Sequence, residues 1–226
     1  MQELTLVIPA KNEKESLPHV LRELKAFQGS IIVVMEESDK ETINSIKEFN
    51  CKSIFQTEKG YGSALIEGIK IVKTKYFCIF NADGSFNPNE LENMYTRLTN
   101  DDADLIFASR YEKNCGTEDD TIITSLGNFI FTTLGKIFFK LRITDILYTF
   151  VMGNTSLVNN LNLKKKDFRF CVELPIKAHW QGLNLKTSKS HERKRIGGKK
   201  KVNAFKDGYL ILKEMTLLFF EKITKN

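Results

Sequence analysis

The sequence predicts an α/β fold built on a mostly parallel sheet covered by helices on both faces. Short apolar runs alternate with segments of helical spacing from Leu4 to Ala108, the loops that follow the apolar runs are polar, and no low-complexity linker interrupts the alternation. Strands joined through helices pair in parallel, because each crossover returns the chain to the same end of the sheet.

Leu4 to Pro9 is an apolar run ending at proline, and Ser16 to Phe27 places Leu17, Val20, Leu21 and Leu24 at helical steps. Ile31 to Met35 is a second β-branched run, and Lys40 to Phe49 follows with Ile43, Ile46 and Phe49 at three-residue steps. A strand at Ser53 to Gln56, a helix from Gly62 to Lys73, a strand at Tyr76 to Phe80, a helix at Asn89 to Leu98 and a strand at Asp104 to Ala108 continue the order. In such sheets ligands bind beyond the carboxyl ends of the strands. The loops there read Pro9-Ala10-Lys11-Asn12-Glu13, Glu36-Glu37-Ser38-Asp39 and Asn81-Ala82-Asp83-Gly84-Ser85.

The second half changes character. Ile122 to Leu141 is dense in Phe, Ile and Leu, is broken by Gly127, Asn128, Gly135 and Lys136, and carries a wide apolar face at helical spacing. Such a helix serves either as a core or dimer helix or as an interfacial one, with Phe129, Phe131, Phe138 and Phe139 as anchors in a headgroup region. Lys164 to Lys166 and Glu192 to Lys201 are charge-rich loops, and Tyr209 to Ile223 is a final apolar helix.

Composition narrows the classes. The chain of 226 residues is 42% hydrophobic, enough for one domain with a sizeable core, and its net charge of +6 favours an anionic partner. Cys51, Cys78, Cys115 and Cys171 form no CxxC pair, and His19, His179 and His191 are too far apart to read as a metal set. The Lys199 to Lys201 run lacks the aromatic platform of a nucleic-acid binder, so no nucleic acid is expected. Trp180 reads as packing. The N-terminus enters a strand without a signal-peptide pattern, and no stretch holds the ~18–20 uninterrupted apolar residues of a membrane span. A cytoplasmic protein, peripheral on the inner membrane face if membrane-bound at all, is the expectation.

Asn81-Ala82-Asp83 at the end of a buried strand is the sharpest local signal. A carboxylate there can hold a divalent cation, Mg²⁺ or Mn²⁺, whose other sites take water and the phosphates of a nucleotide. Such a cation neutralises a leaving diphosphate. An Asp-Gly turn after a strand is also an ordinary turn, so the context has to decide.

That context is the ordered set Leu6-Val7-Ile8-Pro9-Ala10-Lys11-Asn12-Glu13, Lys59-Gly60-Tyr61-Gly62-Ser63-Ala64-Leu65 with Gly68, Asn81-Ala82-Asp83-Gly84-Ser85 with Pro88, and Ser109-Arg110-Tyr111. It resembles family 2 glycosyltransferases of the GT-A fold, in the branch that includes dolichol-phosphate mannosyltransferase. The resemblance resumes at Thr144-Asp145, at Phe170 to Glu173 and at Arg195 to Val202.

The resemblance implies an inverting enzyme that moves a sugar from a GDP- or UDP-linked donor to polyprenyl phosphate. It implies a single domain, with 1–112 as the nucleotide-sugar half and 113–226 as the acceptor half. It places Pro9, Ala10, Asn12, Glu13, Glu36, Lys59, Gly62, Asn81 and Ala82 along the nucleotide, and Asp83 with Asn81 at the metal. It places Asp145 and Glu173 near the acceptor, and Arg195 and Lys201 in a basic loop over the phosphates. A phosphate acceptor is already ionised, whereas a glycan or small-molecule hydroxyl would need a base, for which Asp145 and Glu173 are the candidates. The chain departs from the family pattern at Met35, at Asn81 and at Lys200, which leaves a catalytically silent binding homologue open as a third reading.

Overall fold

The computed structural model describes residues 1–197 and 201–225. Gly198, Lys199 and Lys200 of the expected basic loop lie outside them.

The first strand, β1 (Leu4–Ala10), is apolar on both faces because both are covered. Leu4, Leu6, Ile8 and Ala10 enter one apolar cluster and Val7 the other. The chain continues through α1 (Ser16–Glu23), β2 (Ser30–Met35), α2 (Lys40–Ser45), β3 (Lys52–Phe55), α3 (Tyr61–Lys70), β4 (Tyr76–Ile79), α4 (Leu91–Asn100) and β5 (Leu105–Ser109). These are the expected elements. Three helices end earlier than their apolar spacing suggested, at Glu23, Ser45 and Lys70, and the first passes into a short 3₁₀ turn at Leu24–Ala26.

Beyond β5 come β6 (Gly116–Thr117), α5 (Ile122–Phe139), β7 (Val151–Asn154), α6 (Thr155–Asn159), α7 (Phe170–Trp180), β8 (Leu185–Lys189), β9 (His191–Glu192) and α8 (Ala204–Lys225). The main sheet runs β3-β2-β1-β4-β7-β5-β8, and β6 pairs with β9 separately. All pairs are parallel except those of β7, which lies antiparallel between β4 and β5. Both halves of the chain therefore share one sheet. Gly153 is required in β7: a side chain there would press on Leu105 and on the Asp104 carbonyl.

One face of the sheet is covered by α1 and α4, through Leu17, Val20, Leu21, Leu91, Met94 and Leu98. The other carries α3, α5, α7 and α8, through Ala64, Leu65, Phe131, Val172, Ile211 and Met215 among others. Trp180 packs against Phe139 with ring centroids 6.3 Å apart, as its packing assignment required.

Two features of this layout position the site. The strand order reverses between β1 and β4: the chain moves outward from β1 to β2 and β3, then returns to place β4 on the other side. The loops leaving β1 and β4 therefore diverge over a crevice at the carboxyl edge. Beneath the β4 loop, Phe86 stacks on Phe150 with centroids 4.5 Å apart, and Phe80 meets both rings edge-on. That aromatic floor fixes the loop's height above the sheet.

Candidate functional site

A cavity of about 780 Å³ opens over the crevice. Its polar end is lined by Pro9, Ala10, Lys11, Glu13, Glu36, Asn81, Ala82 and Asp83, and its middle by Arg110, Asp119, Asp120, Glu192, Arg195 and Lys201. Its far end runs between α5 and α8, past Ile123, Leu126, Ile130, Phe205, Tyr209 and Leu212.

Asp83 sits where the β4 loop turns. Its Oδ1 accepts from the Ser85 amide at 3.0 Å and the Ser85 hydroxyl at 2.7 Å. Its Oδ2 faces Arg195 Nη2 at 3.5 Å. Arg195 is held there by a two-pronged contact with Asp119, at 3.0 and 2.8 Å. Two backbone bonds tie its segment to the same loop, from Ile196 N to the Asp83 carbonyl at 2.8 Å and from Arg193 N to the Ser85 carbonyl at 2.9 Å. Lys201 reaches across to Glu13, which is itself buried and accepts from Ser16 Oγ.

A donor set of one carboxylate oxygen open to the cavity fits a hard divalent cation that takes its remaining ligands from phosphate and water. Asp83 lines the cavity, and its Oδ2, the oxygen that Ser85 leaves to Arg195, is the candidate. Asn81 has a supporting place instead. The Ser85 hydroxyl donates to Asp83, so its lone pair accepts from Asn81 Nδ2 at 3.4 Å, and Asn81 Oδ1 faces the Tyr61 hydroxyl at 3.5 Å. Among the described residues no group of three or more His, Cys, Asp and Glu side chains is arranged to hold a metal without such help.

Three of the residues expected along the nucleotide are not part of the cavity lining. Asn12 occupies the left-handed region at φ 53° and donates its amide to Asp39, outside the cavity lining. Lys59 borders an adjoining recess with Glu36, Glu37, Ser38 and Gln56. Gly62 allows a close approach, but of the chain to itself: a side chain there would collide with the Lys165 carbonyl, where residues 165–167 cross α3.

Neither of the two expected acceptor-side acids lines the cavity itself. Glu173 is wholly buried and binds the amides of Lys164 and Lys165 at 2.8 to 3.0 Å and Lys177 Nζ at 2.6 Å. It anchors the strap over α3. Asp145, 1% exposed, grips Arg110 through Nε at 2.8 Å and Nη2 at 3.0 Å, and accepts from its backbone amide at 3.1 Å.

Arg110 itself was present in a sequence motif but had no role there, because its partners are dispersed along the chain. Its Nη1 also meets Asp120 at 2.9 Å and Glu192 at 2.8 Å, and its guanidinium lies 4.4 Å above the Tyr148 ring. Burial opposes its charge, but Asp145, then Glu192 and Asp120, outweigh burial and hold its pKa above the usual arginine value. Burial raises the pKa of Glu192, with Arg110 and Thr117 opposing. Burial also pushes the cavity-lining Cys171 thiol up to about 12, which keeps it protonated and unsuited to act as a nucleophile.

Residues 5–161 match Glycosyl transferase family 2. The chain belongs to that family. A dolichol-phosphate mannosyltransferase of Pyrococcus furiosus is 26% identical over 188 residues, covering 78% of this chain and 53% of the relative. An uncharacterised glycosyltransferase of Mycobacterium tuberculosis is 30% identical over 107 residues, covering 47% of this chain and 48% of the relative. The chain spans about half the length of the curated relatives it matches. Among solved structures, glucosyl-3-phosphoglycerate synthase of M. tuberculosis with UDP superposes with a TM-score of 0.74 at 13% identity, covering 96% of this chain and 79% of that one. The same enzyme with Mn²⁺, UDP and glucosyl-3-phosphoglycerate gives 0.74 at 14% identity, covering 95% and 79%. At these identities the likeness establishes the fold, which is the α/β GT-A arrangement expected from the sequence.

Breaking the Arg110 pair from the Asp145 side leaves a buried guanidinium short of its two-pronged partner. Asp145→Asn is expected to destabilise the chain by about 3 kcal/mol in urea unfolding. A loss below about 0.5 kcal/mol would show that Asp120 and Glu192 suffice.

Proposed function

We propose that this family 2 glycosyltransferase moves a sugar from a GDP- or UDP-linked donor to the phosphate of a polyprenyl phosphate, with inversion at the anomeric carbon, while lying peripherally on a membrane. One observation carries the reading: a single cavity runs from Asp83 and its cationic neighbours into an apolar passage between α5 and α8. A nucleotide diphosphate suits the first end and an isoprenoid chain the second.

The walls of that passage continue onto the surface. Ile122 is 89% exposed, Phe205 80% and Phe129 67%, and Ile137, Tyr209, Leu217, Phe220 and Ile223 are also open to solvent. An exposed apolar face shared by two helices calls for a partner. By length and composition α5 could cross a membrane, but its other side is packed on α8, where Phe138 meets Phe219 at 5.4 Å, and its Phe131 and Phe139 are buried. A helix apolar on one side of a globular body and open on the other suits the interface plane of a bilayer, with Lys136, Lys140 and Lys213 at the level of the headgroups.

In the transfer, an oxygen of the acceptor phosphate forms a bond to the anomeric carbon as the bond from that carbon to the donor's β-phosphate oxygen breaks. The departing oxygen keeps the electron pair. A divalent cation held by Asp83 Oδ2 and the diphosphate would supply Lewis-acid stabilisation of that leaving group. Arg195, fixed by Asp119 beside Asp83, places a second positive charge at the same point, and Lys201, paired with Glu13, lines the same cavity. The acceptor phosphate needs no strong base, which agrees with the structural engagement of Asp145 and Glu173. The Pyrococcus relative named for dolichol-phosphate mannose transfer supports this acceptor class. The solved neighbours, bound to UDP and phosphoglyceric acid, favour a small phosphorylated acceptor as the second reading.

The test is transfer of label from UDP-glucose and GDP-mannose, with Mn²⁺, to citronellyl phosphate or to 3-phosphoglycerate. Organic-phase product is expected from one donor, with a loss of about 10³-fold or more in Asp83→Ala. Product from 3-phosphoglycerate alone would overturn the lipid reading in favour of the second. For the membrane face, the double variant Phe129→Glu, Phe220→Glu should lower sedimentation with anionic phosphatidylglycerol vesicles about tenfold or more, since two apolar anchors are lost. Unchanged sedimentation would remove α5 and α8 from the contact.

A further inference from the structure

Asn128 is an interruption in the apolar pattern of α5 and the site of an unanswered polar group. The residue is 2% exposed and lines the cavity. Its Oδ1 accepts from the Leu147 amide at 3.0 Å, which fixes the orientation of the side-chain amide. Its Nδ2 is buried and has no hydrogen-bonding partner within the protein. A buried donor of this kind is costly and is rarely left without a function or a ligand.

Support of the backbone does not account for it. One turn further along α5, Thr132 does the equivalent work, accepting from the Ile146 amide at 3.2 Å with a side chain that carries no second nitrogen. At position 128 the chain uses a residue that performs the same service and adds a donor. The neighbours along the helix locate that donor. Thr124, about 6 Å upstream along the axis, bonds Asp120 at 3.0 Å, and Asp120 bonds Arg110. Ile130 and Phe131, just downstream, are apolar lining. Asn128 therefore stands one turn beyond the Thr124–Asp120–Arg110 chain, among the apolar lining of Leu126, Ile130 and Phe131.

We infer that Asn128 is a positioning residue for the acceptor: its Nδ2 donates to an oxygen of the acceptor's phosphate ester at the junction of head and isoprenoid tail. This rests on the acceptor reading above. A neutral donor at that depth would select an amphiphile whose last oxygen sits there, and would set which phosphate oxygen faces the sugar. The group replaces the water that the buried ester oxygen loses on entering the passage.

Asn128→Asp keeps an oxygen for the Leu147 amide and exchanges the donor for an anionic acceptor. Calorimetric titration of citronellyl phosphate, with Mn²⁺ and the preferred nucleoside diphosphate present, should show affinity reduced about tenfold or more. Nucleotide affinity should stay within about twofold, a split that general misfolding would not give. In the wild-type chain, the Asn128 side-chain amide resonance should move on saturation with citronellyl phosphate, a readout that needs no variant. Equal affinity in Asn128→Asp, or an unmoved resonance at saturation, would overturn the inference and leave the acceptor reading intact. If the wild-type chain binds no citronellyl phosphate, the acceptor reading falls and this inference with it.

Discussion

Arg110 carries a full positive charge into a position that is only 7% exposed, and such a charge persists only where opposite charges and hydrogen bonds replace the lost water. Asp145, Asp120 and Glu192 provide them, and they come from separate stretches of the chain: the segment before β7, the turn before α5, and β9. One side chain at the end of β5 thereby fixes three connections around the carboxyl edge of the sheet. Asp119, adjacent to Asp120, holds Arg195 against Asp83. The arrangement of cationic groups over the β4 loop thus depends on a buried ion network whose Arg110, Asp120 and Glu192 also line the middle of the cavity.

The second constraint is continuity. The strand order places the β1 and β4 loops on either side of a crevice, and α5 and α8 extend that crevice into an apolar passage. Phosphate chemistry requires fixed positive charge and restricted water, whereas an isoprenoid chain requires neither. The cavity changes composition along its length, and Thr124, Asn128 and Phe131 line it on one stripe of α5. The same helices carry exposed apolar residues, among them Phe129, Phe205 and Phe220.

Much of the fold was legible in the sequence because buried parallel strands are apolar on both faces, so Leu4 to Pro9, Ile31 to Met35 and Tyr76 to Phe80 stand out as runs. The later strands do not. β7 is short and contains a glycine demanded by its neighbour, and β8, Leu-Lys-Thr-Ser-Lys, lies at the sheet edge with a polar sequence. Pro9, Ala10, Glu13, Glu36, Asn81, Asp83, Arg195 and Lys201 meet around one cavity as the motif order implied. Asp145 and Glu173 do not, because an acid that serves a buried arginine or a strap of amides looks the same in sequence as one that serves a substrate. Their partners, 35 residues away for Asp145 and 8 to 9 residues away for the Glu173 amides, are visible only in three dimensions. Asn128 read as a break in an apolar helix for the same reason.

The most direct measurement of the central claim is a crystal structure of the chain grown with Mn²⁺, UDP or GDP, and citronellyl phosphate, with the metal located by its anomalous signal. The expected result is manganese within bonding distance of an Asp83 carboxylate oxygen, with the isoprenoid chain between α5 and α8. Manganese bound away from Asp83, or a lipid seated anywhere other than that passage, would contradict it.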